Sequence, residues 1–272
     1  MREAACGDIV TPMTRDKRSP RKQAAPSARE EEIIYGLHAA AEALANPRRS
    51  IRSVLVTRNA ANRLAESLAA AGVEPGIVHP KELDRRLGGD AVHQGILVIA
   101  DPLPQPRLDQ IPRTGLVVML DQVTDPHNVG AILRTACAFA VTAVVTTARH
   151  SPHGSAVMIK AASGAIEHVP FVKVTNLARA MDELKEYGFE IYGLDSEAPG
   201  ILDCEVAPPD PCAIVLGAEG KGLRQLTRQK CDHLVRLDLP GPIRSLNVSN
   251  AAAMALHAMT WTRRREEAAR NG

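Results

Sequence analysis

Three short stretches hold the residues best able to do chemistry. The first, DPHNVGAILRTA at 125–136, offers the Asn128 amide and the Arg134 guanidinium. The second, VLGAEGKGL at 215–223, sets Glu219 among glycines 217, 220 and 222, which let a backbone bend sharply and approach a ligand closely. The third, LDLPGPIRSLNVSNAA at 237–252, follows a rigid Pro-Gly-Pro turn with Ser245, Asn247, Ser249 and Asn250, a crowd of polar groups at a helix start. Singly, each has an ordinary use. Asn128 suits a helix cap, Arg134 a solvated surface position, and Glu219 a surface pair with Lys221 or Arg224. One of the four polar residues of the third stretch must cap the helix that follows; four exceed what a cap needs. The glycines match neither GxGxxG opening a helix nor GxxxxGK followed by Ser or Thr, so neither a dinucleotide fold nor a P-loop is indicated. Together the stretches describe a polar ligand site at strand ends.

The elements around them are those of an α/β protein. LVVML at 116–120 is a continuous apolar run, the pattern of a strand covered on both faces. Asp121 and DPHN break it, and Val129, Ile132, Leu133, Ala136 and Ala140 then recur at helical spacing with Arg134 roughly off the stripe. TAVVTT, FEIYGLD, CAIVLG and LVRLDL read as further strands. NLARAMDELKEYG, LRQLTRQKC and LNVSNAAAMALHAMTWTRRR read as helices. Such alternation predicts a mostly parallel sheet flanked by helices over 114–265, with a tail at 266–272. Upstream, GLHAAAEALAN, IRSVLVT, NRLAESLAAAG, VEPGIVH, KELDRRL and HQGILVIA alternate helix and strand and predict a small α/β unit over 30–102. Between the two lies DPLPQPRLDQIPRTG, whose four prolines in fifteen residues predict a linker at 103–113. Residues 1–29, with seven Lys/Arg, three Asp/Glu and three Pro, read as a disordered basic leader.

Composition narrows the function. Aromatics are 3% of the chain, so base stacking on aromatic rings has few residues to use, and the net charge of +2 neither demands nor excludes a polyanion. Local clusters such as Arg48-Arg49-Ser50-Ile51-Arg52 and the leader are then the natural contacts for a polyanion. The five cysteines form no CxxC pair and have no accompanying histidine spacing, which argues for scattered thiols in a reducing cytosol and no metal. No 18-residue apolar run and no secretory h-region occur, so no membrane span is expected.

The ordered set DPHNVGAILRTA, LGAEGKGL about ninety residues later and SLNVSNAA about thirty after that resembles the three motifs of the SpoU (TrmH-like) family of the SPOUT superfamily, RNA ribose 2′-O-methyltransferases. YGLHAAAEAL through HQGILVIA resembles that family's RNA-substrate-binding domain, a ribosomal-protein-like α/β fold. The resemblance implies a cytoplasmic homodimer with residues of both chains at each site, and a trefoil knot formed by the C-terminal segment. It implies S-adenosylmethionine held mainly by main-chain groups at Gly217, Leu237 and Leu246, with no metal. It assigns Arg134 to activation of the ribose hydroxyl, supported by Asn128, Glu219, Ser245 and Asn247. The small residues Ala251, Ala252 and Ala255, with Met259, would permit close helix packing at the dimer interface. The two-part match points to methylation of a guanosine ribose in the peptidyl-transferase region of 23S rRNA. The alternatives are a tRNA or other rRNA 2′-O-methyltransferase, or a non-catalytic RNA-binding assembly factor. One implication conflicts with physical chemistry: a guanidinium stays protonated in proteins, so Arg134 is expected to stabilise charge rather than accept the proton.

Overall fold

The computed structural model describes residues 31–150, 154–202 and 208–271, so the basic leader expected at 1–29 lies outside the described residues. The N-terminal unit is β1 (Glu32–Tyr35), α1 (Leu37–Ala45), β2 (Ile51–Val56), α2 (Arg58–Arg63), α3 (Ala65–Ala71), β3 (Gly76–Ile77), α4 (Pro80–Leu87) and β4 (Ile96–Ala100). Its sheet has the order β1-β4-β2-β3, antiparallel except for β2–β3. Sequence periodicity left β1 unassigned, because EIIY is only four residues long. The single helix expected from NRLAESLAAAG is two, α2 and α3, breaking at Leu64; Gly72 ends the second in the left-handed region, as a C-terminal glycine does.

The second unit comprises β5 (Leu116–Asp121), α5 (Pro126–Ala138), β6 (Ala143–Thr147), α6 (Ala156–Ala162), β7 (Phe171–Val174), α7 (Leu177–Glu186), β8 (Glu190–Leu194), β9 (Gly200–Ile201), β10 (Cys212–Gly217), α8 (Gln225–Lys230), β11 (His233–Arg236) and α9 (Val248–Asn271). Its seven strands are all parallel, in the order β7-β6-β5-β10-β8-β11-β9. The α/β class with a mostly parallel sheet is therefore the observed one. Residues 266–271, expected as a tail, continue α9.

Every residue of β5 is buried, and alternate residues serve opposite faces, as a doubly covered strand requires. Leu116, Val118 and Leu120 join the core formed with α5, α6 and α9, whereas Val117 and Met119 join the one under α7. The segment expected as a linker carries Leu108 and Ile111 into this second core. The first core continues without interruption into the N-terminal unit, through Ile34, Leu37, Val54 and Ile96.

Between the units lies a buried ionic cluster. Arg49, with a fully buried side chain, donates from Nη1 to Glu32 Oε2 at 2.5 Å and from Nη2 to Glu167 Oε1 at 2.6 Å. Asn46 Nδ2 donates to Glu167 Oε2 at 2.7 Å, and Arg48 donates to the Glu167 carbonyl at 2.9 Å. Burial raises the pKa of Glu32 despite Arg49; burial would lower that of Arg49, but Glu167 and Glu32 hold it above its usual range. Arg52 pairs with Glu31 and Asp101. These are the basic residues expected to meet a polyanion. Arg49 is withdrawn from such a contact because two carboxylates buried at a junction need a cation, whereas Arg48 and Arg52 remain exposed.

Candidate active site at the carboxyl ends of the strands

β10 sits between β5 and β8, and the turns leaving β8, β10 and β11 open on the same edge of the sheet. A cleft of about 250 Å³ forms there. It is lined by Leu194–Ser196 after β8, Gly217–Gly220 after β10, and Leu237, Leu239 and Arg244–Leu246 in the passage from β11 to α9. Ligands of open α/β sheets bind at such a place.

Taken alone Asn128 suits a helix cap, but the structure gives that task to its neighbour. Asp125 is the cap: its carboxylate accepts from His127 N at 3.3 Å and Asn128 N at 3.1 Å, with Pro126 in the first turn where its missing N–H costs nothing. The Asn128 side chain is thereby freed. Its Nδ2 donates to Glu219 Oε1 at 3.0 Å, and its Oδ1 accepts from Asn247 Nδ2 at 3.0 Å. Asn247 Nδ2 also donates to Glu219 Oε1, at 2.5 Å, and Val248 N donates to the same oxygen at 3.3 Å. Asn247 Oδ1 accepts from Ser249 N and Oγ at 2.9 and 2.6 Å, so Asn247 is the residue that caps α9. The partners fix both amide orientations. Three residues from three stretches thus form one closed network, with Glu219 as acceptor.

Glu219 pairs with neither Lys221 nor Arg224. Arg224 instead binds Asp121, a fully buried carboxylate at the end of β5, through its backbone N at 3.0 Å and Nε at 2.6 Å. This clasp closes the loop carrying Glu219. Sequence reasoning passed over Asp121 as a strand breaker; the signal was a carboxylate ending a doubly buried strand, which must find a donor. It also missed Asp195, buried beside the cleft, which pairs with Arg228 at 2.8 Å and accepts from Glu197 N at 2.9 Å.

Gly217 was expected to let the backbone approach a ligand. The close approach is to the chain itself: a Cβ there would lie 2.2 Å from the carbonyl carbon of Gly222, because Ala218 and Gly222 bridge across the loop. Leu237, Ser245 and Leu246 line the cleft as expected of a ligand site, though Ser245 is not part of the amide network. Arg134 stands apart. It is six residues from Asn128 on α5, about 9 Å along the axis, exposed, and its side chain has no hydrogen bond or ion pair among the described residues. The alanines expected at a dimer interface are used inside the chain. Ala252 and Ala255, with Met259, are buried in the core shared with α5, while Ala251 lines the cleft. Burial pushes the Cys231 thiol, against Gly193 of β8, up to about 12.

A parallel α/β domain with a ligand cleft beyond its strand ends, joined through a shared core to a small mixed-sheet unit, is the class of protein defined here. The chain belongs to the SpoU rRNA Methylase family, whose profile matches residues 115–257. Residues 33–106 match the RNA 2′-O ribose methyltransferase substrate binding family. A 23S rRNA (guanosine-2′-O-)-methyltransferase RlmB from Yersinia pestis is 38% identical over 235 residues, covering 83% of this chain and 95% of the relative. One of the same name from Neisseria meningitidis is 39% identical, covering 82% and 92%. Among solved structures, the SpoU methyltransferase AviRb from Streptomyces viridochromogenes, in complex with the cofactor AdoMet, superposes with a TM-score of 0.72 at 22% identity, over 86% of this chain and 90% of that one. A TrmH/SpoU tRNA modifying enzyme from A. aeolicus matches only 59% of this chain, at a TM-score of 0.51 and 26% identity.

Proposed function

We propose that this protein transfers a methyl group from S-adenosylmethionine to the ribose 2′-hydroxyl of a guanosine in 23S rRNA, in the cytoplasm, with the N-terminal unit (30–102) holding the RNA and residues 114–265 performing the chemistry. The observation that carries the reading is the Asn128–Glu219–Asn247 network at the mouth of the cleft. It unites the three family motifs in one place. The 38–39% identity to rRNA enzymes along nearly their whole length favours rRNA over tRNA, since the tRNA enzyme matches only part of the chain.

The cleft suits the cofactor. Leu237, Leu239 and Leu246 offer an apolar bed, Asp195 and Glu219 negative charge for a cationic methyl donor, and Arg244 a partner for a carboxylate. S-adenosylmethionine, when bound, supplies an electrophilic sulfonium methyl. The remaining requirements fall on the chain. The 2′-oxygen must be aligned for attack, its developing charge balanced, and its proton released as the C–O bond forms and the C–S bond breaks. Glu219 fixes the two amides, and Ser245 beside them offers a hydroxyl to the ribose. Arg134, permanently charged, stabilises the oxygen while water or an RNA phosphate takes the proton.

Because Arg134 lies outside its own chain's cleft, we assign it to the cleft of a second copy in a homodimer. Exposed Met254 and Trp261 on α9 and exposed Ile243 in the cleft loop support such an interface. We also read the passage 237–247 as the crossing of a trefoil knot. β11 lies outside β8, yet α9 returns to pack on α5 and β10.

The test is incubation with labelled cofactor and unmodified 23S rRNA, followed by mapping of 2′-O-methyl nucleotides. Label at a guanosine ribose is expected; label on tRNA alone, or none, refutes the reading. Mixing Arg134→Ala with Glu219→Ala subunits should restore part of the activity, and no restoration rules out the shared site. If the wild-type pH profile shows an ionisation that disappears in both Arg134→Lys and Arg134→Ala, Arg134 is the base after all.

A further inference from the structure

The N-terminal unit carries a second concave site, far in sequence from the methyl-transfer motifs. It is a groove at the carboxyl ends of β2 and β3, between 57–59, 77–80 and 93–95. Its floor is fixed. Thr57 N donates to Gly95 O at 2.8 Å, Gly95 N donates to His93 Nδ1 at 2.9 Å, and His93 Nε2 lies 3.1 Å from Asp84. Gln94 adopts a left-handed backbone, φ 54°, which few residues with a side chain tolerate. Its Oε1 accepts from Leu37 N at 3.0 Å and from Lys160 Nζ of α6 at 3.1 Å. The groove is thereby braced against the large unit.

The rim differs. Arg58 and Asn59 are exposed and, among the described residues, have no hydrogen bond or ion pair through their side chains. His79 Nδ1 accepts from Lys81 N at 3.4 Å, which leaves Nε2 as a free donor. Ile77 is 55% exposed on the edge strand. No described carboxylate lines the groove. By contrast, Arg49 and Arg52 on the same unit are consumed by internal ion pairs.

We propose that this groove grips an unpaired nucleotide of the RNA substrate, with a phosphate against Arg58 and a base lying on Ile77; the proposal rests on the RNA reading above. The rim presents a fixed cation, neutral donors, an apolar platform and no negative charge. That combination matches a single strand, whose bases are splayed out, better than a duplex, whose bases are stacked away from a protein surface. Through Gln94 and Lys160 the gripped strand would be held at a set distance from the catalytic unit.

The experiment uses the full-length protein, a 23S rRNA fragment that it methylates, and a salt titration of binding. Arg58→Gln should weaken RNA binding about tenfold and reduce the slope of log K against log salt by about 0.7, the contribution of one single-strand phosphate. Ile77→Ser should weaken binding several-fold with the slope unchanged. Arg85→Gln, at an exposed arginine of α4 outside the groove, should leave binding unchanged. If both groove variants bind like the wild type while the wild type methylates the fragment, the groove is wrong and the functional reading stands. If the wild type methylates no RNA, the functional reading itself falls.

Discussion

Glu167→Ala tests whether the two units are held together by the buried ionic cluster as well as by shared apolar surface. The Arg49 side chain loses two of its four hydrogen bonds, those from Nη2 at 2.6 Å and Nε at 3.2 Å, and keeps Glu32 and the Asp101 carbonyl. Asn46 loses its acceptor as well. Losing three hydrogen bonds to the Glu167 carboxylate, each worth about 1.5 kcal/mol, while Arg49 keeps Glu32 as its counter-charge, costs about 3–5 kcal/mol. With an unfolding entropy of about 2.1 cal/mol/K per residue over 272 residues, that corresponds to a fall in Tm of roughly 5–9 °C. Arg49→Met makes the complementary case by stranding two carboxylates whose side chains are 3% and 1% exposed. Their native pKa values would rise above the unfolded value of about 4.3, so the native state would bind more protons than the unfolded one. Stability would then fall as pH rises from about 4 through the raised values, and would return on acidification. Wild type carries a smaller effect of the same sign through Glu32, whose pKa is already raised by burial. The assay is urea unfolding followed by circular dichroism from pH 4.5 to 8. A cost below about 1 kcal/mol for Glu167→Ala, or an Arg49→Met protein whose stability does not decline with pH, would refute the account.

Three further outcomes concern the cleft. Glu219→Gln keeps an acceptor but removes its charge; charge-assisted bonds are worth roughly 1 kcal/mol more than neutral ones, and solvent exposure of this residue reduces that, so turnover should fall about five- to tenfold. Cofactor affinity, read by calorimetry, should hold; lost affinity with normal turnover would contradict the positioning role. Asp121→Asn weakens the clasp on Arg224, so the loop from Gly217 to Arg224 should exchange its amide hydrogens faster while the rest of β5 stays protected; unchanged exchange would show that the clasp does not hold the loop. Gly217→Ala forces a Cβ to within 2.2 Å of Gly222 and should abolish cofactor binding without unfolding the sheet, and a variant that binds normally would disprove the tight bridge.

The fold was largely legible because the hydrophobic pattern is strong where burial is complete. β5, β6 and β10 are buried almost end to end and covered on both faces, so apolar runs such as LVVML and CAIVLG identify them. β1 and β9 escaped because four- and two-residue strands have no period to detect. The site was legible in a different way. Asn128, Glu219 and Asn247 are separated by 91 and 28 residues, so no local rule joins them, and only their resemblance to an ordered motif set did. Local rules even misled. Asn at a helix start suggests a cap, but Asp125 followed by Pro126 is the stronger signal, and reading it would have released Asn128 for the network. Arg49 misled for the opposite reason. Charge counting sees a basic patch, whereas Glu32 and Glu167 arrive from 17 and 118 residues away in sequence to neutralise Arg49. Basic residues with partners brought in by the fold are poor markers of a polyanion site. Exposed arginines whose side chains have no partner among the described residues, such as Arg58 and Arg134, are the better candidates to test by substitution.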